Sequence, residues 1–160
     1  MVIYGVSFDM VGKQPIVLLK TADSNKFLPI WIGHPEAAAI LMKLQGASTP
    51  RPMTHDLLRN MISELDGHVT RIVINDLRDS TFFAQIRMMV NRAGSDTMLE
   101  LDARPSDAIA LALRTEAPIY VAQSVLDQAQ TITPDSDDQD EKMKKWFEQL
   151  GPDDLGKYKM

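Results

Sequence analysis

Glu36-Ala37-Ala38-Ala39-Ile40-Leu41-Met42-Lys43 returns 71 residues later as Asp107-Ala108-Ile109-Ala110-Leu111-Ala112-Leu113-Arg114. Acid meets acid, alanine meets alanine twice, apolar meets apolar and base meets base, without a gap. Under the same shift Leu28-Pro29-Ile30 falls on Leu99-Glu100-Leu101. Self-similarity at a fixed offset marks a repeated supersecondary unit. Two buried strand–helix units converging on alanine and leucine is the alternative; the run of matches favours a duplication.

Outward from the two octets, the flanking pattern is the same. Upstream of the first, Val2, Tyr4, Val6 and Phe8 alternate with their neighbours over 2–9, the period of a strand. Gly12-Lys13-Gln14 turns the chain, and 15–21 and 27–32 read as two further strands around a polar turn at Asp23-Ser24-Asn25. Pro29 has no amide hydrogen to donate, so the third strand is expected at an edge or bulged there. Pro35 opens a helix in its favoured first turn, and Gly46 stands where a C-terminal cap belongs. Upstream of the second octet, strands are expected over 69–77, 81–90 and 97–103, with Phe82, Ala84, Ile86, Met88 and Val90 on one side. The helix itself is expected from about Ser106 to Thr115, apolar nearly all round, followed by a short strand at Ile119-Tyr120-Val121. Between the units a connecting helix starts at Thr54 as N-cap, with Asp56 facing the positive dipole end. Leu57, Leu58, Met61, Ile62 and Leu65 share one face of it, and Gly67 closes it. The expected fold class is α+β, with mixed sheets, two pseudo-symmetric β-β-β-α units and a connecting helix.

Composition bounds the function. At 160 residues and 44% hydrophobic content the chain suits one globular domain, placed at 1–133. Residues 134–160 read as an acidic linker followed by a short amphipathic helix carrying Met143, Trp146, Phe147 and Leu150. No signal-like start and no long apolar run are present, so a cytoplasmic protein without membrane contact is expected. The absence of cysteine excludes disulfides, cysteine–zinc sites and thiol nucleophiles. Net charge is −5, of which the last 27 residues carry −3, a balance that counts against gripping nucleic acid by charge alone. No phosphate loop, dinucleotide fingerprint or nucleophile elbow occurs, and no organic cofactor is expected.

Two polar clusters remain, each at a helix entry: Arg51-Pro52-Met53-Thr54-His55-Asp56 and Asp102-Ala103-Arg104-Pro105-Ser106-Asp107. Phosphodiester cleavage needs a group to activate water, positive charge on the phosphate and often a carboxylate-bound divalent ion. His55 suits a general base or acid. Arg51 and Arg104 can hold phosphate oxygens through their planar forks, and Thr54 and Ser106 add hydroxyls. Asp56, Asp102 and Asp107 are the candidate catalytic carboxylates and candidate ligands for Mg2+ or Mn2+. The same residues have a structural reading: Thr54 and Ser106 as N-caps, Asp56 and Asp107 as dipole partners, the arginines as loop clamps. Glu36 matches Asp107 in the repeat and reads as its structural counterpart. A Ser106–His55–Asp arrangement for acyl or ester hydrolysis lacks an elbow motif.

At these clusters a family resemblance enters. Leu28-Pro29-Ile30-Trp31-Ile32-Gly33, Glu36-Ala37, Arg51 through Leu57, Thr81-Phe82-Phe83-Ala84, Asp102 through Leu111 and Pro118-Ile119 together resemble the bacterial and plant bifunctional nuclease family, also called the DNase–RNase domain. The resemblance covers residues 1 to about 133 and implies a mixed α+β domain, a homodimer and activity on both RNA and DNA. It supplies no catalytic set, so the two clusters stand on their chemistry. The expected function is a broad-specificity nuclease; the alternative is a non-enzymatic dimeric regulatory or scaffold module binding a small anion or a protein. A nuclease is expected to gather Arg51, Arg59 and Arg104, with Arg71 and Arg87, on one face.

Overall fold

Strands β1 (Val2–Phe8), β2 (Pro15–Lys20) and β3 (Phe27–Trp31) form an antiparallel meander; β2 and β3 are near-continuous apolar runs buried along nearly all their length, whereas Val2, Tyr4 and Phe8 on β1 are exposed. The computed structural model describes residues 1–8 and 13–133, so Gly12 and the expected linker and terminal helix lie outside the described residues. Pro29 sits on an edge strand, opposite Leu18, as its missing donor requires. Beyond β3, Ile132 exchanges two backbone hydrogen bonds with Phe27. Helix α1 (His34–Leu44) follows, with Pro35 in its first turn. It ends in a Schellman motif: Gly46 takes φ +66°, its amide donates to Lys43 O, and the Ala47 amide donates to Met42 O at 2.9 Å. That left-handed residue throws the chain into the 47–53 loop.

Helix α2 (Thr54–Glu64) connects the halves. Then β4 (Gly67–Arg78), β5 (Thr81–Arg92) and β6 (Ser95–Ala103) form a second antiparallel meander. Asp79 and Ser80, both at positive φ, make the two-residue turn that joins β4 to β5. Helix α3 (Pro105–Thr115) returns the chain to β7 (Ile119–Val121), parallel to β4, giving sheet order β6-β5-β4-β7. The fold class is α+β, and each three-stranded meander leads into an 11-residue helix. A six-residue helix, α4 (Gln123–Gln128), packs on β4; no pattern in the sequence had marked it.

Helix α3 is the hub. It packs against α1, α2, β4 and β5, and Ala108 through Ala112 are buried. Its alanines let neighbouring backbones approach closely, while Ile109 and Leu111 fill one continuous core with Ile40, Leu28, Ile30, Ile72, Ile74 and Phe82. Phe82, Ala84, Ile86, Met88 and Val90 are all buried on one side of β5, as their alternation required. Trp31 is also core.

Four local expectations change. Helix α2 is closed by Asp66 at φ +53°, and Gly67, expected as its cap, already opens β4. The N-cap of α2 is Met53, with Thr54 already helical and making no capping bond. The N-cap of α3 is Arg104, with Ser106 inside the first turn. The apolar face of α2 is uncovered: Leu57, Leu58, Met61 and Leu65 are exposed, and only Ile62 packs on the core. Helical spacing identifies an apolar stripe but not what lies against it. No helix among the described residues is long and apolar enough to cross a membrane.

Candidate active site

Each of the three long helices carries an acid at its third position: Glu36 in α1, Asp56 in α2 and Asp107 in α3. A carboxylate there is favoured by the helix dipole. Here the packing of the helices adds a cation or an imidazole to each. Arg104, at the N-cap of α3, donates from Nε to Asp107 Oδ2 at 2.8 Å and from Nη2 to Glu36 Oε1 at 2.7 Å. His55, in the first turn of α2, places Nε2 3.0 Å from the other Asp107 oxygen, Oδ1. Glu36, Arg104, Asp107 and His55 therefore form one chain linking the entries of all three helices.

The protonation states follow from these contacts. Burial alone would raise the Asp107 carboxyl. The hydrogen bonds from Arg104 and His55, with their charges, outweigh it and hold Asp107 below the usual carboxylate range. An ionised carboxylate only accepts, so His55 Nε2 carries the proton. In the neutral imidazole the lone pair then resides on Nδ1. Arg104 is held in its charged form by the hydrogen bonds it donates to Asp107 and Glu36. Its guanidinium is half exposed and retains N–H groups that neither carboxylate uses. An oriented imidazole thus sits beside an accessible, immobilised cation.

Asp56 belongs to a neighbouring arrangement. Its Oδ2 accepts the Met53 amide at 3.0 Å, which fastens the start of α2. Its Oδ1 accepts Arg114 Nε at 2.6 Å. Arg114 is 5% exposed and also donates to Ala110 O and Ala39 O, so one side chain ties α3 to α1 and α2. Burial opposes ionisation of Asp56, and the Met53 amide and Arg114 overcome it, again lowering the carboxyl.

The two sequence clusters thus meet only in part. His55, Asp107 and Arg104 come together. Asp102 does not join them. It pairs with Gln85, and the adjacent Ala84–Ala103 pair faces the helices, so strand alternation sends Asp102 to the opposite face of the sheet. Arg51 lies in the exposed loop before α2, where its carbonyl accepts from Thr49 Oγ1. Thr54 is exposed at the helix start. Ser106 is fully buried, and its Oγ has no hydrogen-bond partner, His55 included. Among the described residues, no three His, Asp or Glu side chains converge to hold a metal ion. The cluster's carboxylates are engaged by Arg104 and His55, a donor set that does not fit Mg2+ or Mn2+ without rearrangement.

Two participants were missed. Glu36 reads as the repeat counterpart of Asp107 and as part of the family pattern, and Arg114 as the base matching Lys43 in the repeat; an acid at the same helical position in each unit was the available signal. The expected basic face is divided. Arg71 and Arg87 are partners in the β4–β5 ladder, on the face away from the helices, and Arg87 is paired with Glu100. Arg59 and Arg104 belong to the helical side.

Comparison with known proteins adds an independent line. A family model described as the bifunctional nuclease domain matches residues 17–134. An uncharacterized protein of Mycobacterium tuberculosis (strain ATCC 25618 / H37Rv) is 38% identical over 163 residues, covering 96% of this chain and 95% of that one. Bifunctional nuclease 2 of Oryza sativa subsp. japonica is 27% identical over 114 residues, or 70% of this chain and 34% of its own. Bifunctional nuclease 1 of Arabidopsis thaliana is 25% identical over 110 residues, or 68% and 33%. The chain thus spans about a third of the length of these plant relatives.

Proposed function

The chain belongs to the bifunctional nuclease domain family, and on that premise we propose that it hydrolyses phosphodiester bonds of both RNA and DNA at the His55–Asp107–Arg104 cluster. The observation that carries this reading is the 3.0 Å contact from His55 Nε2 to an ionised Asp107. It orients the ring and leaves Nδ1 to accept a proton from an attacking water. As the water oxygen bonds to phosphorus, the bond to the leaving oxygen breaks and that oxygen takes up a proton from solvent, while the proton on His55 Nδ1 is returned to solvent after turnover. Arg104 stabilises the charge that develops on the non-bridging oxygens. Glu36 is a positioning residue, fixing the Arg104 fork without touching substrate. Each step runs through the protein's own residues. Mg2+ or Mn2+ is an added component of the assay, since the carboxylates present leave no ready-made seat.

The protein is further proposed to act in the cytoplasm as a homodimer. The exposed Leu57, Leu58, Met61 and Leu65 stripe supports association through α2. A second reading, a dimeric module that binds a small anion without turning it over, is favoured by the overall charge of −5. One experiment separates them. Purified protein is incubated with single-stranded RNA and single-stranded DNA, with and without Mg2+ or Mn2+. The enzyme reading expects both to be cleaved. Thermal stabilisation by phosphate with neither polymer cut would establish the binding module instead.

A further inference from the structure

A cleft of about 280 Å3 is bounded by the end of α1, the 47–53 loop and the first half of α2. Its formation follows from the chain's course. The left-handed Gly46 turns the backbone out of α1, and the Asp56–Met53 bond fixes where α2 begins, so the loop stands off from both helices. The Asp56–Arg114 pair lies at its wall.

The charge of this cleft runs against that of the molecule. Lys43, Arg59 and Arg114 line it, against one carboxylate, Asp56, which Arg114 already engages. Lys43 and Arg59 have no carboxylate within ion-pair distance among the described residues. Two uncompensated cations facing one concavity attract an anion, and low-dielectric walls focus their field. The rest of the lining is of two kinds. Met42 and Met53 are flexible, polarizable and apolar, able to settle against the face of a planar ring. Thr49 and Asn60 supply a hydroxyl and an amide that both donate and accept. The volume fits a small ligand rather than a duplex.

We propose that this cleft binds one nucleotide unit of a single strand, with its phosphate on Lys43 and Arg59 and its base against Met42 and Met53. The proposal deepens the nuclease reading and rests on it: cleft and cluster share only the start of α2, where Met53 and Asp56 line the one and His55 belongs to the other, so a strand held in the cleft extends along α2 to reach the cluster. It also answers how an acidic protein holds a polyanion. Affinity is concentrated in one pocket that reads phosphate and base together, and a duplex, whose bases are stacked and paired, is excluded.

The test is calorimetric titration of the full chain with adenosine 5′-monophosphate, adenosine and inorganic phosphate. The nucleotide is expected to bind at least about tenfold more tightly than either part. A Lys43→Gln/Arg59→Gln variant, which keeps the apolar stems, should weaken it by at least about tenfold. The same variant should raise KM for oligonucleotide cleavage with kcat little changed. Arg92→Ala, at the end of β5 remote from α3, is the charge control and should bind normally. No nucleotide binding by the parent, or binding that the double variant retains, overturns the proposal. Cleavage without nucleotide binding would keep the nuclease and remove the cleft. Nucleotide binding that follows the two cations, in a protein that cleaves nothing, would keep the cleft and remove the nuclease.

Discussion

Ser106 separates structural from catalytic polarity at the scale of one residue. Its hydroxyl is buried without a partner, and an unsatisfied buried hydroxyl costs about 1–3 kcal/mol. Ser106→Ala is therefore expected to stabilise the fold by about 1 kcal/mol and to leave cleavage intact, read by chemical denaturation and by turnover. Loss of cleavage in a stable variant would restore the serine to the chemistry. Asp56 and Asp107 make a second prediction. Both titrate below the ordinary carboxyl range when folded, so on acidification the unfolded chain takes up protons first. Their contribution is complete above about pH 4, the ordinary value for aspartate, and is lost as pH falls through the folded values. Melting temperature should drop as pH falls below about 4, and Asp56→Asn should flatten that drop. Parallel curves for parent and variant would show that the Arg114 contact contributes nothing to acid stability. Of these residues, the sequence made His55, Asp56, Arg104 and Asp107 visible by their place at helix entries. The pairing of His55 with Asp107, 52 residues apart, is a consequence of how α2 crosses α3, which no local pattern encodes.

The helices show where period and packing part company. Alternation in β5 and the alanine-rich run of α3 each specified a buried face, because strands and a hub helix must be covered on those sides. The stripe on α2 had the same apolar signature yet faces outward. Periodicity is a property of one element, whereas burial belongs to two. An exposed stripe of this kind needs a second surface, and the homodimer reading supplies it. Sedimentation should find the parent as a dimer and Leu57→Asp as a monomer. Monomer stability should change by only about 0.5 kcal/mol, since Leu57 contacts no core. A Leu57→Asp dimer would place the interface elsewhere. The six-residue α4 escaped notice because it is too short to display a helical period.

For the whole molecule, the nuclease reading has to reconcile a net charge of −5 with a polyanionic substrate. The answer lies in segregation. The β4–β5–β6 sheet divides the basic residues, with Arg71 and Arg87 on one face and Lys43, Arg59, Arg104 and Arg114 on the helical side. The helical side also holds the oriented imidazole, and the cleft and the cluster meet at the start of α2. The claim that this cluster is the reaction centre is tested most directly by single-turnover cleavage of RNA and DNA oligonucleotides. Parent, His55→Ala and Asp102→Asn proteins would be prepared identically and shown to melt alike. Removal of a general base is expected to slow cleavage by about a hundredfold or more in His55→Ala, while Asp102→Asn, on the opposite face of the sheet, cleaves at the parental rate. A His55→Ala protein as fast as the parent, or an Asp102→Asn protein that is inactive, would contradict the account and place the chemistry on the other side of the sheet or elsewhere in the chain.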